Sequence, residues 1–249
     1  MIITSPDNAH LKEIRRLART SARAKVGRFV AEGEDLVAEA AARGWEPVAL
    51  LCAEGSGLPG TEVTAELLAG VSSLGSGTRT IGIYETRWAQ ETVGCSSLSL
   101  TLHGVSDPGN VGTIVRSALA FGADRVVFAP GCADPFGPKA VRASMGAIFA
   151  MPVVREHDWN AKPHMTVALA AGEGRPIAEL EHLGNDNVDV MLLVGGERDG
   201  LPREVRETAD EVAHIPIAFE SLNAAMAATV ALYELTRAFG PSTHRILAP

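Results

Sequence analysis

Two polar side chains, Ser221 and Asn223, stand at the start of a C-terminal segment that carries no charge from Ser221 to Tyr233. This composition predicts a helix that is apolar all round, and such a helix is normally buried on every side. Polar groups at the buried start of a helix need hydrogen-bond partners. We therefore expect a ligand or a neighbouring loop to bond Ser221 and Asn223.

A second group of polar residues lies between His103 and Gly122. The pattern predicts a strand, a turn rich in Gly, Pro and Asp, and a helix that begins near Asn110, with Asn110 as its N-cap. Arg116 lies roughly 140° around this helix from the apolar Val111, so it points away from the apolar stripe. Capping alone would also explain Asn110, and a simple surface position would explain Arg116.

The apolar run Val190–Val194 is followed by a third group, which contains three glycines and a carboxylate: Gly195, Gly196, Gly200 and Glu197. Glycines directly after a strand let the backbone approach a ligand closely. Their order matches neither the GxGxxG fingerprint of dinucleotide-binding folds nor a Walker loop. Glu197 could instead cap a helix that starts near Pro202. We leave His214 out of the site, because a lone histidine beside a strand more often makes structural hydrogen bonds.

The elements that would position these groups alternate between strands and helices from Leu98 onward. Apolar runs bounded by Gly, Asp, Asn or Pro predict buried parallel strands at Leu98–Leu102, Arg125–Phe128, Thr166–Ala170 and Val190–Val194. Helical patterns between them predict an α/β class with a mostly parallel sheet. Ligands of such sheets bind in the loops at the carboxyl ends of the strands, where these polar groups lie.

We predict a first domain at residues 1–90 and a second domain at residues 98–249, joined by a linker at residues 91–97. A chain of 249 residues is long enough for either one large domain or two modest ones. The first domain is predicted to contain a basic helix, a short run at Arg28–Ala31, further helices near Asp35–Arg43 and Thr64–Leu68, and strands near Val48–Leu51 and Thr80–Tyr84.

The overall composition is that of a soluble globular protein, with 46% hydrophobic and 21% charged residues. The chain has no apolar run of about 18 residues that would predict a membrane span, and its start does not resemble a secretory signal. The three cysteines lack metal-ligand spacing and indicate free thiols in a reducing cytosol. We therefore expect a cytoplasmic protein with neither a disulfide nor a metal site.

The net charge of −8 is unevenly distributed. Residues 1–30, which we name the basic arm, contain seven basic and two acidic side chains. A basic arm on an acidic body can bind phosphate groups, although Leu11, Ile14 and Leu17 would also suit an ordinary solvated helix. The candidate contacts are Lys12, Arg15, Arg16, Arg19, Arg23, Lys25 and Arg28.

Three segments occur in the order DPGNVGTIVRSALAFG, GGERDG and IPI followed by ESLNAAMAATVALYE. Together they closely resemble the SpoU (TrmH) family of RNA ribose 2′-O-methyltransferases, in the SPOUT class. The intervening APGCADPFGPKAVRASMGAIFAMPV is similar to that family too. The opening ITSPDNAHLKEIRRLARTSARAKVGRFVAEGEDLVAEA resembles the family's N-terminal substrate-binding domain, which is similar to certain large-subunit ribosomal proteins. The third segment departs from the family pattern in a bulkier turn at Ala218-Phe219 and in NAAMAA, which replaces the commoner NVSVAA.

The resemblance implies a deep trefoil knot near the C-terminus that binds S-adenosylmethionine, an obligate homodimer, and methyl transfer to a ribose 2′-hydroxyl of RNA, with rRNA favoured over tRNA. It also implies that the first domain, with the seven basic side chains, binds the RNA. By position, the implied cofactor contacts are Gly195, Gly196, Gly200, Ile215 and Leu222. The implied catalytic set is Arg116, Asn110, Glu197, Ser221 and Asn223. The family assigns the position of Arg116 to activation of the hydroxyl.

Other functions remain open at this stage. Methylation of tRNA is one alternative, and a non-catalytic RNA-binding protein of the same fold is another. A nucleotide-dependent oxidoreductase is disfavoured, because the turn at Asp107-Pro108-Gly109 does not have the glycine order of a Rossmann fold.

Overall fold

The structure, a computed structural model, describes residues 2–75, 77–89, 98–158, 165–184, 189–218 and 221–239. The predicted linker, 91–97, lies outside the described residues. The chain forms two compact units. The N-terminal unit comprises Met1–Arg87 and Asp134–Ala150, and the C-terminal unit comprises Trp88–Ala133 and Met151–Pro249.

A four-stranded sheet supports the N-terminal unit. Its strands are β1 (Arg28–Glu32), β2 (Ala49–Ala53), β3 (Thr61–Val63) and β4 (Thr80–Glu85), in the order β1-β4-β2-β3. Strand β4 pairs antiparallel with β1 and β2, and β3 pairs parallel with β2. The helices of this unit include α1 (Ala9–Leu17), α2 (Thr20–Val26), α3 (Glu34–Ala42) and α4 (Ala65–Ala69). The predicted helices Asp35–Arg43 and Thr64–Leu68 and the predicted strands Val48–Leu51 and Thr80–Tyr84 are confirmed to within two residues at each end, whereas β3 was not predicted.

The basic arm folds as two helices, α1 and α2, where the sequence pattern indicated one. The first helix ends at Leu17, and the second begins at Thr20. The apolar side chains of α1 recur every three residues, so they share one face of the helix. That face is buried in the core of the unit, through Leu11, Ile14 and Leu17. Most of the basic side chains are therefore left on the solvent side.

The C-terminal unit is built on a seven-stranded sheet in which every pairing is parallel. Its strands are β5 (Leu98–His103), β6 (Arg125–Phe128), β7 (Val153–Arg155), β8 (Met165–Leu169), β9 (Arg175–Pro176), β10 (Val190–Gly195) and β11 (Glu211–His214), in the order β7-β6-β5-β10-β8-β11-β9. The central strands β5 and β10 are buried over five consecutive residues, as expected for strands covered on both faces. The predicted α/β class with a mostly parallel sheet is confirmed.

Helices α5 (Pro108–Ala120) and α8 (Ala224–Phe239) pack together in the C-terminal unit, which also contains α7 (Arg203–Glu207). The hydroxyl oxygens of Ser117 and Thr229 lie 2.7 Å apart across the contact between α5 and α8. The prediction that α8 is buried all round is wrong, because Met226, Val230 and Tyr233 are 63%, 37% and 52% exposed. Among the residues described, no helix has the length and apolarity needed to cross a membrane.

The segment 134–150, which contains α6 (Pro138–Ala143), packs within the N-terminal unit. Asp134 accepts a 2.8 Å hydrogen bond from the Nε of Arg23, and the indole nitrogen of Trp45 donates to the carbonyl oxygen of Phe149 at 2.8 Å. The rings of Phe29 and Phe149 are 5.9 Å apart in the same core. Although its sequence falls within the predicted catalytic domain, 98–249, this segment completes the core of the other unit.

Candidate functional site

Two of the three motif loops leave the sheet side by side. Strands β5 and β10 are neighbours, and their register pairs the Cα of His103 with the Cα of Gly195. The turn that leads to α5 follows β5, and the glycine-rich loop follows β10. The carboxyl ends of these parallel strands therefore bring the first two motifs to one edge of the sheet.

Hydrogen bonds join one side chain from each of the three motifs. The carboxamide nitrogen of Asn110 donates to a carboxylate oxygen of Glu197. The carboxamide oxygen of Asn110 accepts a 3.0 Å hydrogen bond from the carboxamide nitrogen of Asn223. Asn110 thus uses both ends of its side chain to tie the glycine-rich loop to the start of α8.

The N-cap of α5 is Asp107, and the prediction that Asn110 caps this helix is wrong. A carboxylate oxygen of Asp107 accepts hydrogen bonds from the backbone amides of Gly109 at 2.7 Å and Asn110 at 3.0 Å. Because Asp107 satisfies the free amides of the first turn, the side chain of Asn110 is left for contacts outside the helix.

The other two members of the network differ in their second role. The carboxamide oxygen of Asn223 accepts from the amides of Ala225 at 2.9 Å and Met226 at 3.3 Å, as an N-cap of α8 does. Glu197 does not cap α7, whose N-cap residue is Pro202 and has no side-chain cap bond. The capping alternative for Glu197 is therefore wrong, and its carboxylate serves the link to Asn110.

Arg116 lies on the exposed face of α5, opposite the buried Val111, Ile114 and Val115. The predicted orientation of its side chain is confirmed. Within the described part of the chain, its guanidinium makes no hydrogen bond or ion pair. It does not line the cavity described next. The described residues therefore leave the charge of Arg116 unpaired.

A cavity of about 420 Å³ opens beside the network at the carboxyl ends of β8 and β10. Its walls come from the glycine-rich loop, from the segment that follows β11, and from the first turn of α8. Seven predicted site residues line it: Gly195, Gly196, Glu197, Gly200, Ile215, Ser221 and Leu222. Of the predicted set, Asn110 and Asn223 stand behind this lining through their hydrogen bonds, and Arg116 stands apart.

Backbone contacts explain why two of the cavity residues are glycines. A Cβ atom on Gly195 would overlap the backbone between Gly200 and Leu201, and a Cβ atom on Gly196 would overlap the carbonyl group of Gly104. The loop therefore folds back on itself and against the turn after β5. Gly195 and Gly196 therefore offer only main-chain groups to the cavity, which suits a ligand held through backbone hydrogen bonds.

The remaining lining of the cavity is mixed in character. Leu169, Val194 and Ile217 add apolar surface, whereas Glu173 and Arg206 form an ion pair at 3.1 Å. The Nδ1 atom of His214 lies 3.1 Å from the carbonyl oxygen of Glu173. This contact confirms the structural role expected for the histidine. Apolar walls with a few polar groups are typical of cofactor sites. In the described residues, no cluster of three or more His, Cys, Asp or Glu could hold a metal ion.

The sequence did not single out His103, the last residue of β5, and it indicated only a free thiol at Cys132. Burial lowers the pKa of His103, and the negative charge of Glu156 partly opposes that shift. Burial also raises the pKa of the Cys132 thiol, which donates a hydrogen bond to the carbonyl oxygen of Leu102 at 3.1 Å. The signal that could have directed attention to His103 is its position, because it is the last residue of a strand that leads into a polar loop.

The basic arm presents five of its seven predicted contacts to solvent: Lys12, Arg15, Arg16, Arg19 and Lys25. Arg28 is partly exposed and pairs with Glu13 at 2.9 Å. Arg23 differs, because its residue is only 4% exposed and its guanidinium donates to Asp134, to Thr20 and to backbone carbonyls. Its donors are already used inside the unit, so we leave Arg23 out of the predicted RNA-binding surface.

Comparison with known proteins identifies relatives along most of the chain. Residues 97–233 match a model described as the SpoU rRNA Methylase family, and residues 8–80 match an MRM3-like substrate binding domain. Among solved structures, the AdoMet-bound rRNA methyltransferase from Sinorhizobium meliloti is similar to this chain with a TM-score of 0.83 and 30% identity, over 95% of this chain and 97% of that one.

Named relatives differ in the nucleoside that their names specify. The 23S rRNA (guanosine(2553)-2′-O)-methyltransferase RlmP of Bacillus subtilis is 29% identical over 94% of this chain and 98% of its own length. The 23S rRNA (uridine(2479)-2′-O)-methyltransferase of Streptomyces viridochromogenes is 39% identical over 53% of this chain and 50% of its own length.

Some relatives are longer than the region shared with this chain. The alignment covers 62% of this chain and 58% of the uncharacterized tRNA/rRNA methyltransferase Rv0881 of Mycobacterium tuberculosis, at 36% identity. The family model covers more than half of the chain and includes all three motifs joined at the carboxyl edge of the sheet. This chain belongs to the SpoU rRNA methylase family.

Proposed function

We propose that this protein transfers a methyl group from S-adenosylmethionine to a ribose 2′-hydroxyl of rRNA. The observation that carries the proposal is the Glu197–Asn110–Asn223 network, which joins all three family motifs beside a cavity of about 420 Å³. The family match and the names of the two 23S rRNA relatives support the same reaction.

The residues around the cavity fit S-adenosylmethionine. Gly195 and Gly196 expose backbone, Ile215 and Leu222 supply apolar surface, and Ser221 supplies a hydroxyl. When bound, the cofactor supplies an activated methyl group on a sulfonium, so the protein contributes binding, orientation and electrostatics.

The residues of this chain have separate tasks in the proposed reaction. Asn110, Glu197 and Asn223 hold the loops in place, so that the hydroxyl and the methyl donor can be aligned for attack. Arg116 carries a positive charge that can position an RNA phosphate or stabilise the developing alkoxide. A guanidinium keeps its proton in proteins, so we assign Arg116 no role as a general base.

We propose residues 1–90 as the RNA-binding domain and residues 98–249 as the catalytic domain, with segment 134–150 contributing to the structure of the former. The exposed basic side chains of α1 and α2 and the match to a substrate-binding domain support this division. Phosphate contacts position a protein on RNA, while specificity comes from exposed bases.

We also propose a homodimer and a knotted C-terminal region. The exposed apolar stripe of Met226, Val230 and Tyr233 on α8 supports a subunit contact, because such patches mark interaction sites. The predicted trefoil knot is supported by the family, and by a cavity lined by both the glycine-rich loop and the segment after β11. We expect the protein to work in the cytoplasm, where its proposed substrate is made.

Two measurements test the proposed function. Mapping of ribose methylation in rRNA and tRNA, with and without this gene, should reveal one rRNA position that loses its methyl group. Titration calorimetry of the purified protein should detect binding of S-adenosylmethionine. A lost tRNA position instead would favour the tRNA alternative. RNA binding without any lost methyl group would favour a non-catalytic protein and contradict the proposal.

A further inference from the structure

A second cleft adjoins the proposed cofactor cavity in the C-terminal unit. It has a volume of about 880 Å³ and lies over the carboxyl ends of β5 and β6. His103 and Ser106 line one side, Ala129 and Pro130 line another, and Glu197 lines a third. Residues 196–200, with Glu197 among them, also line the cofactor cavity, so the glycine-rich loop forms a wall common to the two spaces.

The shared wall places the cleft where a methyl acceptor must enter. Transfer requires the acceptor oxygen and the methyl donor to be brought into line at close range. A ribose placed at the junction near Glu197 would direct its base into the second cleft. Ligand pockets commonly have volumes of about 300–1,000 Å³, so the cleft is large enough for a nucleoside.

His103 supplies the cleft with an aromatic face and two ring nitrogens. The pairing of His103 with Gly195 fixes the histidine beside the glycine-rich loop. Because burial lowers its pKa, the ring is favoured in its neutral form, which has one nitrogen donor and one nitrogen acceptor. Unstacked RNA bases are recognised by stacking on aromatic rings, including histidine, and by hydrogen bonds to their edges.

The names of two relatives specify the base separately from the ribose oxygen. One is named for a guanosine and another for a uridine, and both names specify the same ribose oxygen. The residues that contact the ribose can be the same in both proteins. A residue that selects the base must differ between them or make different contacts. His103 precedes the motif segment that begins at Asp107, and it forms no part of the Glu197–Asn110–Asn223 network.

We propose that His103 contacts the base of the nucleotide that is methylated and sets the preference of the enzyme among the four nucleosides. This inference rests on the proposed function. His103 stacks on the base with its ring, and its nitrogens bond to the base edge, while the ribose lies at Glu197.

The test uses the full-length protein and short transcripts of the rRNA site found by mapping, each with one of the four nucleosides at the target position. His103→Ala removes ring and nitrogens, whereas His103→Phe retains an aromatic face and removes the nitrogens. We expect His103→Ala to lower kcat/KM for the natural nucleoside by at least about fivefold, mainly through a higher KM for RNA, since stacking of one base on an aromatic ring contributes about 1–3 kcal/mol. We expect His103→Phe to retain more activity than His103→Ala and to show smaller differences in kcat/KM among the four transcripts.

The affinity for S-adenosylmethionine, measured by calorimetry, separates contact with RNA from damage to the fold. It should stay within about twofold of the wild-type value in both variants, because the histidine does not line that cavity. Unchanged kinetics in His103→Ala, undiminished differences in kcat/KM among the four transcripts in His103→Phe, or a parallel loss of cofactor affinity would each overturn the role of His103. A wild-type protein that methylates none of the transcripts would instead overturn the proposed function, and this inference with it.

Discussion

At the residue scale, the division of labour around Asn110 follows from what each side chain can donate and accept. A carboxamide has donors at one end and an acceptor at the other, so Asn110 can face a carboxylate and a second amide simultaneously. Asp107 supplies the helix cap that would otherwise compete for this side chain. Hydrogen bonds thus connect Asn110 to Glu197 and Asn223, and the exposed charge of Arg116 takes no part in them.

Replacement of Arg116 by alanine should lower methyl transfer by about 10²-fold or more, the size of effect seen when one donor to a developing oxyanion is removed. Binding of S-adenosylmethionine should be nearly unchanged, because Arg116 does not line the cofactor cavity. A methyl-transfer assay and calorimetry measure the two quantities. Arg203→Ala, an exposed arginine of α7 in the same unit, is the matched control and should leave both unchanged. Equal losses of transfer and of cofactor affinity in Arg116→Ala would contradict the assigned role.

Alanine substitutions at two glycines of the same loop distinguish the effect of steric overlap from that of backbone strain. Gly196→Ala should weaken cofactor binding by about tenfold or more, because the new Cβ atom has to displace the carbonyl of Gly104 and distort the loop. Gly200 adopts a φ of +63° and has open space where a Cβ atom would stand, so Gly200→Ala should cost only about 1–2 kcal/mol of stability. Calorimetry measures the cofactor affinity of the two variants, and chemical denaturation measures their stability. If Gly196→Ala lost no more cofactor affinity than Gly200→Ala, this account of the packing would be wrong.

The sequence was sufficient to select the polar residues of the site but not to assign their contacts. Asn110 and Asp107 are both good N-cap residues three positions apart, and only the first helical turn decides which is used. His103 carries no distinctive spacing in the sequence. Its significance comes from the pairing of β5 with β10, a contact between distant parts of the chain that local patterns do not encode.

At the element scale, the buried strands were predictable because their apolar runs are short, continuous and bounded by turn residues. Predicted Arg125–Phe128 coincides with β6, and predicted Leu98–Leu102 differs from β5 by one residue. The assignment of α8 to a fully buried helix was wrong because an uncharged sequence does not indicate which faces of the helix the rest of the chain covers. Segment 134–150 likewise shows no local sign that its partners, Arg23 and Trp45, lie 111 and 104 residues before Asp134 and Phe149.

The basic arm should give RNA binding a strong dependence on salt. Arg16 and Arg19 are exposed and have no ion-pair partner among the described residues. If each contacts one phosphate, the double variant Arg16→Ala/Arg19→Ala should reduce the slope of log K against log salt by about 1.4–1.8, because each contact contributes about 0.7–0.9. Filter binding or fluorescence anisotropy at several salt concentrations measures the slope. Arg203→Ala should not change it, and an unchanged slope in the arm variant would exclude these two arginines from the interface.

At the scale of the whole molecule, the charge distribution and the exposed apolar surface of α8 suit different partners, RNA and a second copy of the chain. An acidic protein with a net charge of −8 repels RNA on average, so the basic arm has to provide the local attraction. The stripe on α8 is uncharged and cannot serve that purpose. Its three side chains recur at intervals of three and four residues, which is the spacing of one helix face. A second copy of the chain offers the same apolar face for a two-fold contact.

The double variant Met226→Glu/Tyr233→Glu should therefore convert the proposed dimer to a monomer, because a contact through this face would have to bury four carboxylates without partners. Light scattering coupled to gel filtration measures the mass directly, and the wild type should elute at twice the mass of its 26.1 kDa chain. Leu74→Glu, at an exposed apolar position of the N-terminal unit, is the matched control and should leave the mass unchanged. A monomeric wild type would refute the homodimer. A double variant that stays dimeric would move the interface away from this face of α8.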